Sequence, residues 1–140
     1  MTAVRETVSL NASPTEIWSL IGDFDSLDSW HPAVAASETV QDGTAKVRHL
    51  TLGDGSKIVE RLDSHDDEAR TYVYSILDAG PLPIQNYQAT IEVSGGSRSS
   101  QVTWSSEFEA HGAPEEDAQA AISGVYTGGF AALIEKFGAA

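Results

Sequence analysis

The sequence predicts an α+β fold in which a curved, seven-stranded antiparallel sheet wraps around one long C-terminal helix, with two short helices between the first and second strands. Runs of residues that favour strands alternate with turn signals along most of the chain. A short helical stretch interrupts them early, and only one long amphipathic segment follows them. A sheet this long must twist and curl, and the long helix is the only element able to cover its concave face. We expect one domain, residues 1–140, with a cavity between sheet and helix.

Composition and charge exclude several classes of protein. The chain has 140 residues, 41% of them apolar, and it contains no cysteine, which excludes disulfides, thiol catalysis and thiolate metal sites. The net charge of -13 argues against nucleic acid and anionic membranes as partners. No apolar run is long enough to span a bilayer, and no basic region followed by an apolar run opens the chain. We expect a cytoplasmic protein that does not insert into membranes, either a monomer or a weak homodimer.

The first strand and the two short helices are predicted from local signals. Apolar residues alternate along Ala3–Leu10, as in a half-buried strand. Ser13 then stands as a natural N-cap, with Glu16 three residues later as in a capping box. The first helix is therefore predicted over Thr15–Ile21, and a second helical turn over Phe24–Ser29.

A meander of six further strands is predicted between residues 33 and 110. Asp-Gly and Gly-Gly pairs, which tolerate the backbone angles of tight hairpins, recur between apolar runs. Several runs alternate strictly between apolar and polar residues, which indicates a sheet covered on one face. The predicted strands are Val34–Val40, Lys46–Leu52, Lys57–His65, Arg70–Asp78, Tyr87–Ser94 and Ser100–Glu109.

The long helix is predicted over Gly112–Gly138. Pro114 suits its first turn, acidic residues after it complement the helix dipole, and Gly138 is a stop signal. Gly128 and Gly129 lie in its middle, where each glycine costs about 1 kcal/mol relative to alanine. Two interpretations remain open: the pair allows close packing, or it leaves room for a ligand.

The order of short motifs resembles a known superfamily. The motifs are Ala12-Ser13-Pro14, Ile17-Trp18, Gly22-Asp23-Phe24, Trp30-His31-Pro32, Glu60-Arg61-Leu62, Pro81-Leu82-Pro83, Asn86-Tyr87, Thr103-Trp104 and Gly128-Gly129-Phe130-Ala131-Ala132-Leu133. Together they resemble the SRPBCC superfamily, the helix-grip fold of START domains, birch-pollen-allergen-like proteins and polyketide cyclase/dehydrase-like proteins. The resemblance covers nearly the whole chain, but it does not settle function, because members of the superfamily differ widely in what they do.

The resemblance also implies which side chains face the cavity. In the related plant abscisic acid receptors, a lysine that binds the hormone's carboxylate lies just after the second short helix, and His31 matches its position. Glu60 and Tyr87 resemble a cavity glutamate and a cavity tyrosine, and Ser106 falls near another polar position. The gate and latch sequences of those receptors are missing, so a hormone-dependent phosphatase partner is not expected.

The chemistry of the two titratable candidates leaves alternatives open. His31 titrates near neutrality and can act as acid, base or donor, or it can simply bond a nearby backbone carbonyl. Glu60 occupies an apolar strand face, where a carboxylate is costly unless it is paired. It contacts a ligand, with a pKa raised by burial, or forms a buried ion pair with Arg48 or Arg61, or lies on a strand face that is exposed to solvent.

These observations predict a binding site for a small hydrophobic molecule, such as a polyketide, aromatic or lipid, in a cavity of about 300–1,000 Å³. A polyketide cyclase/dehydrase-type enzyme in the same cavity is the first alternative, with His31, Glu60 and Tyr87 as catalytic candidates. A protein-interaction module similar to chaperone activators is the second alternative. No cofactor is expected, and no metal, because the four histidines lack ligand spacing. The predicted ligand-binding residues are Phe24, Trp30, His31, Glu60, Tyr74, Ile76, Tyr87, Trp104, Ser106, Phe108, Ile122, Tyr126, Gly129 and Phe130.

Overall fold

Seven strands and three helices make up the structure, a computed structural model that describes all residues from 1 to 140. Every predicted element is present, with ends that differ by a few residues. In chain order they are β1 (Thr2–Leu10), α1 (Pro14–Ile21), α2 (Leu27–Trp30), β2 (Val34–Asp42), β3 (Ala45–Leu52), β4 (Lys57–Asp66), β5 (Thr71–Asp78), β6 (Ile84–Gly95), β7 (Ser100–Ala110) and α3 (Glu115–Phe137).

The strands form one antiparallel sheet in the order β1-β7-β6-β5-β4-β3-β2. The two strands that α1 and α2 connect therefore lie at opposite edges. α3 packs across the concave face and buries one side, which includes Ile122, Tyr126 and Leu133. This arrangement is the predicted helix-grip fold. None of the helices has the length and hydropathy needed to cross a bilayer.

Local signals explain where the short helices begin. The capping box at α1 is present: Ser13 Oγ accepts a hydrogen bond from the Glu16 amide at 3.2 Å. α2 begins at Leu27, later than predicted, because a turn precedes it. Asp23 Oδ1 accepts from the Asp25 amide at 2.9 Å, and Ser26 Oγ donates to the Leu20 carbonyl at 2.6 Å. The turn directs Phe24 into the core, where it is 3% exposed.

β6 begins at Ile84, three residues before its predicted start, and contains a bulge. Ile84 pairs with Ala110 and Gln88 with Glu107, so β6 carries an extra residue between these pairs. Asn86 occupies the left-handed region with a φ of 53°. Because of the bulge, both Ile84 and Tyr87 are buried although they lie three positions apart, an odd spacing that places residues of a regular strand on opposite faces. A sequence pattern of strict alternation cannot reveal such a strand.

α3 begins at Glu115, with Pro114 as its N-cap in an extended conformation, so the prediction that Pro114 lies inside the first turn is wrong. The helix ends at Gly138, which has a φ of 86°. The Asn11 amide donates to the Gly138 carbonyl at 2.8 Å. This hydrogen bond ties the end of α3 to the end of β1.

Candidate functional site

A cavity of about 90 Å³ lies between the concave face of the sheet and α3. It is smaller than the cavity of about 150 Å³ that holds benzene in an engineered protein core, so the predicted size of 300–1,000 Å³ is wrong for this conformation. Aromatic side chains fill the remaining space. Trp104 stacks on Tyr126 with ring centroids 4.3 Å apart, and Trp30 and Phe130 pack against Trp104 from other sides.

Half of the predicted ligand-binding residues line this cavity. They are His31, Glu60, Tyr74, Ile76, Tyr87, Trp104 and Ile122. The others, Phe24, Trp30, Ser106, Phe108, Tyr126, Gly129 and Phe130, do not line it. Aromatic packing occupies several of them, and Phe108, for example, stacks on the ring of Tyr87.

Eight lining residues were not predicted. They are Leu27, Ala33, Val34, Leu50, Leu52, Ile58, Leu82 and Val125. Alternation along β3 and β4 could have indicated three of them, because Leu50 and Leu52 share one strand face and Ile58 shares a face with Glu60. No local signal marks Ala33 or Leu82, which lie in connections.

Glu60 forms a buried ion pair with Arg48. Arg48 Nε donates to Glu60 Oε1 at 2.7 Å, Arg48 Nη2 lies 2.7 Å from the same oxygen, and both residues are at most 5% exposed. Arg61 instead pairs with Asp63 at 3.0 Å on the outer face. Of the two ion pairs considered for Glu60, the structure therefore contains the one with Arg48. The other carboxylate oxygen of Glu60, Oε2, accepts no hydrogen bond from the protein.

The surroundings of the ion pair explain how a charge persists in the core. Arg48 Nη1 donates to the Phe24 carbonyl at 2.9 Å, and the guanidinium carbon lies 4.0 Å from the centre of the Phe24 ring and 5.1 Å from that of Tyr74. Burial raises the pKa of the Glu60 carboxyl, and Arg48 counters part of that rise. Phe24 therefore packs against the guanidinium of Arg48 and does not line the cavity.

Tyr74, Tyr87 and Tyr126 connect their hydroxyls in a chain. Trp104 Nε1 donates to Tyr74 Oη at 3.0 Å, Tyr74 Oη lies 3.1 Å from Tyr87 Oη, and Tyr87 Oη bonds Tyr126 Oη. Burial raises the pKa of Tyr74 and of Tyr87 well above its ordinary value, so these hydroxyls stay protonated. The three tyrosines carry one hydroxyl proton each, and the two bonds between their hydroxyls use two of these protons. One proton therefore remains for another acceptor.

His31 uses both ring nitrogens within the protein. The Ala33 amide donates to Nδ1 at 3.1 Å, which leaves the proton on Nε2, and Nε2 donates to the Val125 carbonyl at 2.7 Å. Burial lowers the pKa of His31, while the Val125 bond acts in the opposite direction. The neutral ring has no free nitrogen for a ligand or a proton transfer. The structure thus realises the alternative in which His31 bonds a backbone carbonyl.

We expect His31 to make stability depend on pH in a defined direction. Its pKa in the folded chain lies below the ordinary value of 6.5, so between the two values the unfolded chain binds more protons. Stability is therefore lost as the pH falls below about 6.5, with a slope of at most about 1.4 kcal/mol per pH unit. Urea unfolding between about pH 5 and pH 7 should show a steeper dependence in the wild type than in His31→Gln. His49→Gln, at an exposed histidine, is the control, and equal slopes in His31→Gln and wild type would contradict this assignment.

Gly129 packs against the end of α2 and does not line the cavity. A Cβ built at this position would lie 2.9 Å from His31 Cδ2 and 2.9 Å from Trp30 Cζ3. At Gly128 the nearest such atom is His31 Cε1 at 4.0 Å. Of the two interpretations of the glycine pair, the structure supports close packing, and only Gly129 requires it.

Comparison with known proteins identifies the family. A family model described as polyketide cyclase / dehydrase and lipid transport matches residues 1–138. The chain belongs to this family. The match agrees with the predicted resemblance to the SRPBCC superfamily. Among curated proteins, no sequence match was found.

Several solved structures share the fold of this chain. The protein XoxI from Bacillus cereus is 37% identical, with a TM-score of 0.91 over 98% of this chain and 96% of that chain. A protein from Thermobifida fusca is 32% identical, with a TM-score of 0.85 over 99% of this chain and 94% of that chain. The Zhui aromatase/cyclase from a Streptomyces strain is 17% identical, with a TM-score of 0.74 over 94% of this chain and 87% of that chain, and shows the fold alone.

Proposed function

We propose that this member of the family binds a small, neutral, largely apolar molecule in the cavity between the sheet and α3. The proposal is based on the few polar groups that lie in the otherwise apolar wall of the cavity. One of these groups, Glu60 Oε2, has unused capacity as an acceptor. Binding pockets commonly combine an apolar wall with a few such polar groups.

The charge of the cavity selects against anions. His31 stands where the plant receptors carry a carboxylate-binding lysine, but its ring is neutral and both nitrogens are engaged. The charge nearest the cavity is the carboxylate of Glu60. A ligand carboxylate would face it at close range in a medium of low dielectric, which is unfavourable. A hydroxyl group, by contrast, can donate to Glu60 Oε2.

Because the cavity is smaller than one that holds benzene, binding of a ring requires half-buried side chains of the wall to move. With that movement, we expect benzyl alcohol to bind in the cavity and benzoate to bind at least about tenfold more weakly. The indole N–H of Trp104 reports binding by nuclear magnetic resonance, because it bonds Tyr74 at the cavity wall. Trp104→Phe identifies its resonance among those of the three tryptophans.

Two half-buried valines provide a matched pair of variants for this measurement. Val125 lines the cavity and Val8 does not. Val125→Phe should weaken binding of benzyl alcohol by about tenfold, whereas Val8→Phe should leave it unchanged. If no neutral aromatic alcohol shifts the Trp104 resonance at millimolar concentration, the proposed function is wrong.

The two alternatives have less support. Of the three catalytic candidates, His31 has no free nitrogen for a proton transfer, so a cyclase-type reaction would depend on Glu60 or Tyr87. The cavity of about 90 Å³ does not hold a poly-β-keto chain in this conformation. An interaction module is expected to expose an apolar patch. The exposed large apolar residues are instead scattered over the N-terminus, β2, β5 and α3: Met1, Val40, Leu77 and Ile134. An interaction module is also expected to have a small or filled cavity, and the cavity of about 90 Å³ is the one observation that agrees with this alternative.

A further inference from the structure

β5 and β6 separate at one end of the sheet and leave a cleft between them. Their pairing runs only from Thr71 with Glu92 to Ser75 with Gln88, although β5 continues to Asp78 and β6 begins at Ile84. The bulge at Asn86 bends β6 at the point where pairing stops. An open depression of about 670 Å³ lies over the diverging strands and extends to Arg61 of β4. A molecule can therefore enter this space without breaking hydrogen bonds between the two strands.

The cleft is polar outside and shares its inner wall with the cavity. Amide, hydroxyl and charged side chains contribute to its walls, in contrast to those of the cavity. The lining residues are Arg61, Ser75, Ile76, Leu77, Asp78, Ala79, Ile84, Gln85, Asn86, Tyr87, Gln88 and His111. Ile76 and Tyr87 line both spaces. These two residues therefore form the partition between the cleft and the cavity.

The two partition residues differ in how firmly they are held. Tyr87 is 4% exposed and its hydroxyl bonds those of Tyr74 and Tyr126. Ile76 is half-buried, and its side chain has no polar group to tie it in place. A change of rotamer at a partly exposed isoleucine takes far less energy than breaking two buried hydrogen bonds. Ile76 is therefore the movable part of the partition.

We propose that the cleft is the outer, polar half of a ligand site whose inner half is the cavity, and that Ile76 opens between them. The ligand is then an amphipathic molecule with its apolar end in the cavity and an uncharged polar end in the cleft. Charged groups of the cleft are already engaged: Arg61 pairs with Asp63, and Asp78 Oδ1 accepts from the Gly80 amide at 3.0 Å. The inference rests on the proposed function, and it accounts for a cavity too small for a ligand of ordinary size.

The test compares benzyl alcohol with the ether that tetraethylene glycol forms at the para position of benzyl alcohol, which carries the same ring and hydroxymethyl group on an uncharged polar tail. Both probes should shift the Trp104 indole resonance of the wild-type protein. Only the ether should shift the side-chain amide resonances of Gln85, Asn86 and Gln88, and it should bind about fivefold tighter, as expected for one additional hydrogen bond. This comparison needs no variant.

Two tryptophan substitutions then identify the route of the tail. Ile76→Trp closes the partition and should abolish both the amide shifts and the gain in affinity. Val73→Trp, at a half-buried residue of the same strand that lines neither the cavity nor the cleft, is the matched control and should preserve them. If Ile76→Trp preserves the amide shifts and the gain in affinity, the tail leaves by another opening and the inference is wrong.

The outcomes also separate the two proposals. If neither probe shifts the Trp104 resonance, the proposed function fails and the inference fails with it. If benzyl alcohol shifts it while the ether leaves the cleft amides unchanged or binds no tighter, cavity binding stands and the cleft is not part of the site.

Discussion

Glu60→Leu alone is expected to lower the free energy of unfolding by about 3–5 kcal/mol, because it leaves the Arg48 charge buried without a counter-ion. Arg48 is fully buried, and its remaining hydrogen bond, to the Phe24 carbonyl, does not neutralise its charge. Domains of this size are stable by only about 5–15 kcal/mol, so the variant should lose a large share of its stability. Urea unfolding monitored by circular dichroism measures the change.

The double variant Arg48→Met, Glu60→Leu removes both charges and should recover most of the loss, since apolar side chains replace a buried ion pair at little cost. Arg61→Met is the control. It breaks the ion pair with Asp63, but the Arg61 side chain is 46% exposed, so the expected loss is at most about 1 kcal/mol. Equal stability of Glu60→Leu and wild type would show that Arg48 does not depend on Glu60.

Gly129→Ala is expected to destabilise the protein by about 1–3 kcal/mol, although alanine favours helices more than glycine does. The added methyl group would lie 2.9 Å from ring carbons of both Trp30 and His31. Neither ring can withdraw freely, because Trp30 packs on Trp104 and His31 is bonded to Val125 and Ala33. Gly129→Leu should be worse still, so its main effect is on folding and not on ligand capacity.

α3 contains two further glycines, Gly124 and Gly128, whose replacement by alanine serves as a control because it is expected to raise the free energy of unfolding. Nothing lies within 4 Å of a Cβ built at Gly124, and at Gly128 the nearest atom is 4.0 Å away. Gly124→Ala and Gly128→Ala should therefore each stabilise the chain by up to about 1 kcal/mol through helix propensity. Thermal unfolding resolves such changes, at about 3–4 °C per kcal/mol. If Gly129→Ala also raises the melting temperature, the close approach of Trp30 and His31 is not a constraint.

Alternation along strands predicted which side chains line the cavity better than the periodicity of α3 did. Glu60, Tyr74 and Ile76 lie on the inner faces of adjacent strands and line the cavity. Tyr126 and Phe130 also lie on the inner face of α3, yet they pack on Trp104 instead. Periodicity tells which face a side chain occupies, but it does not tell whether the space in front of it is filled.

The fold could be predicted from the sequence, because caps, turn pairs and alternating apolar residues are local signals that agree with one another along the whole chain. The alternating pattern also predicted that several tyrosines face the interior. Tertiary contacts were needed to show that Arg48 pairs with Glu60, that His31 has no free nitrogen, and that Gly129 packs against the rings of Trp30 and His31. Each of these depends on distances between segments far apart in the chain, which close packing fixes to fractions of an ångström and local patterns do not encode.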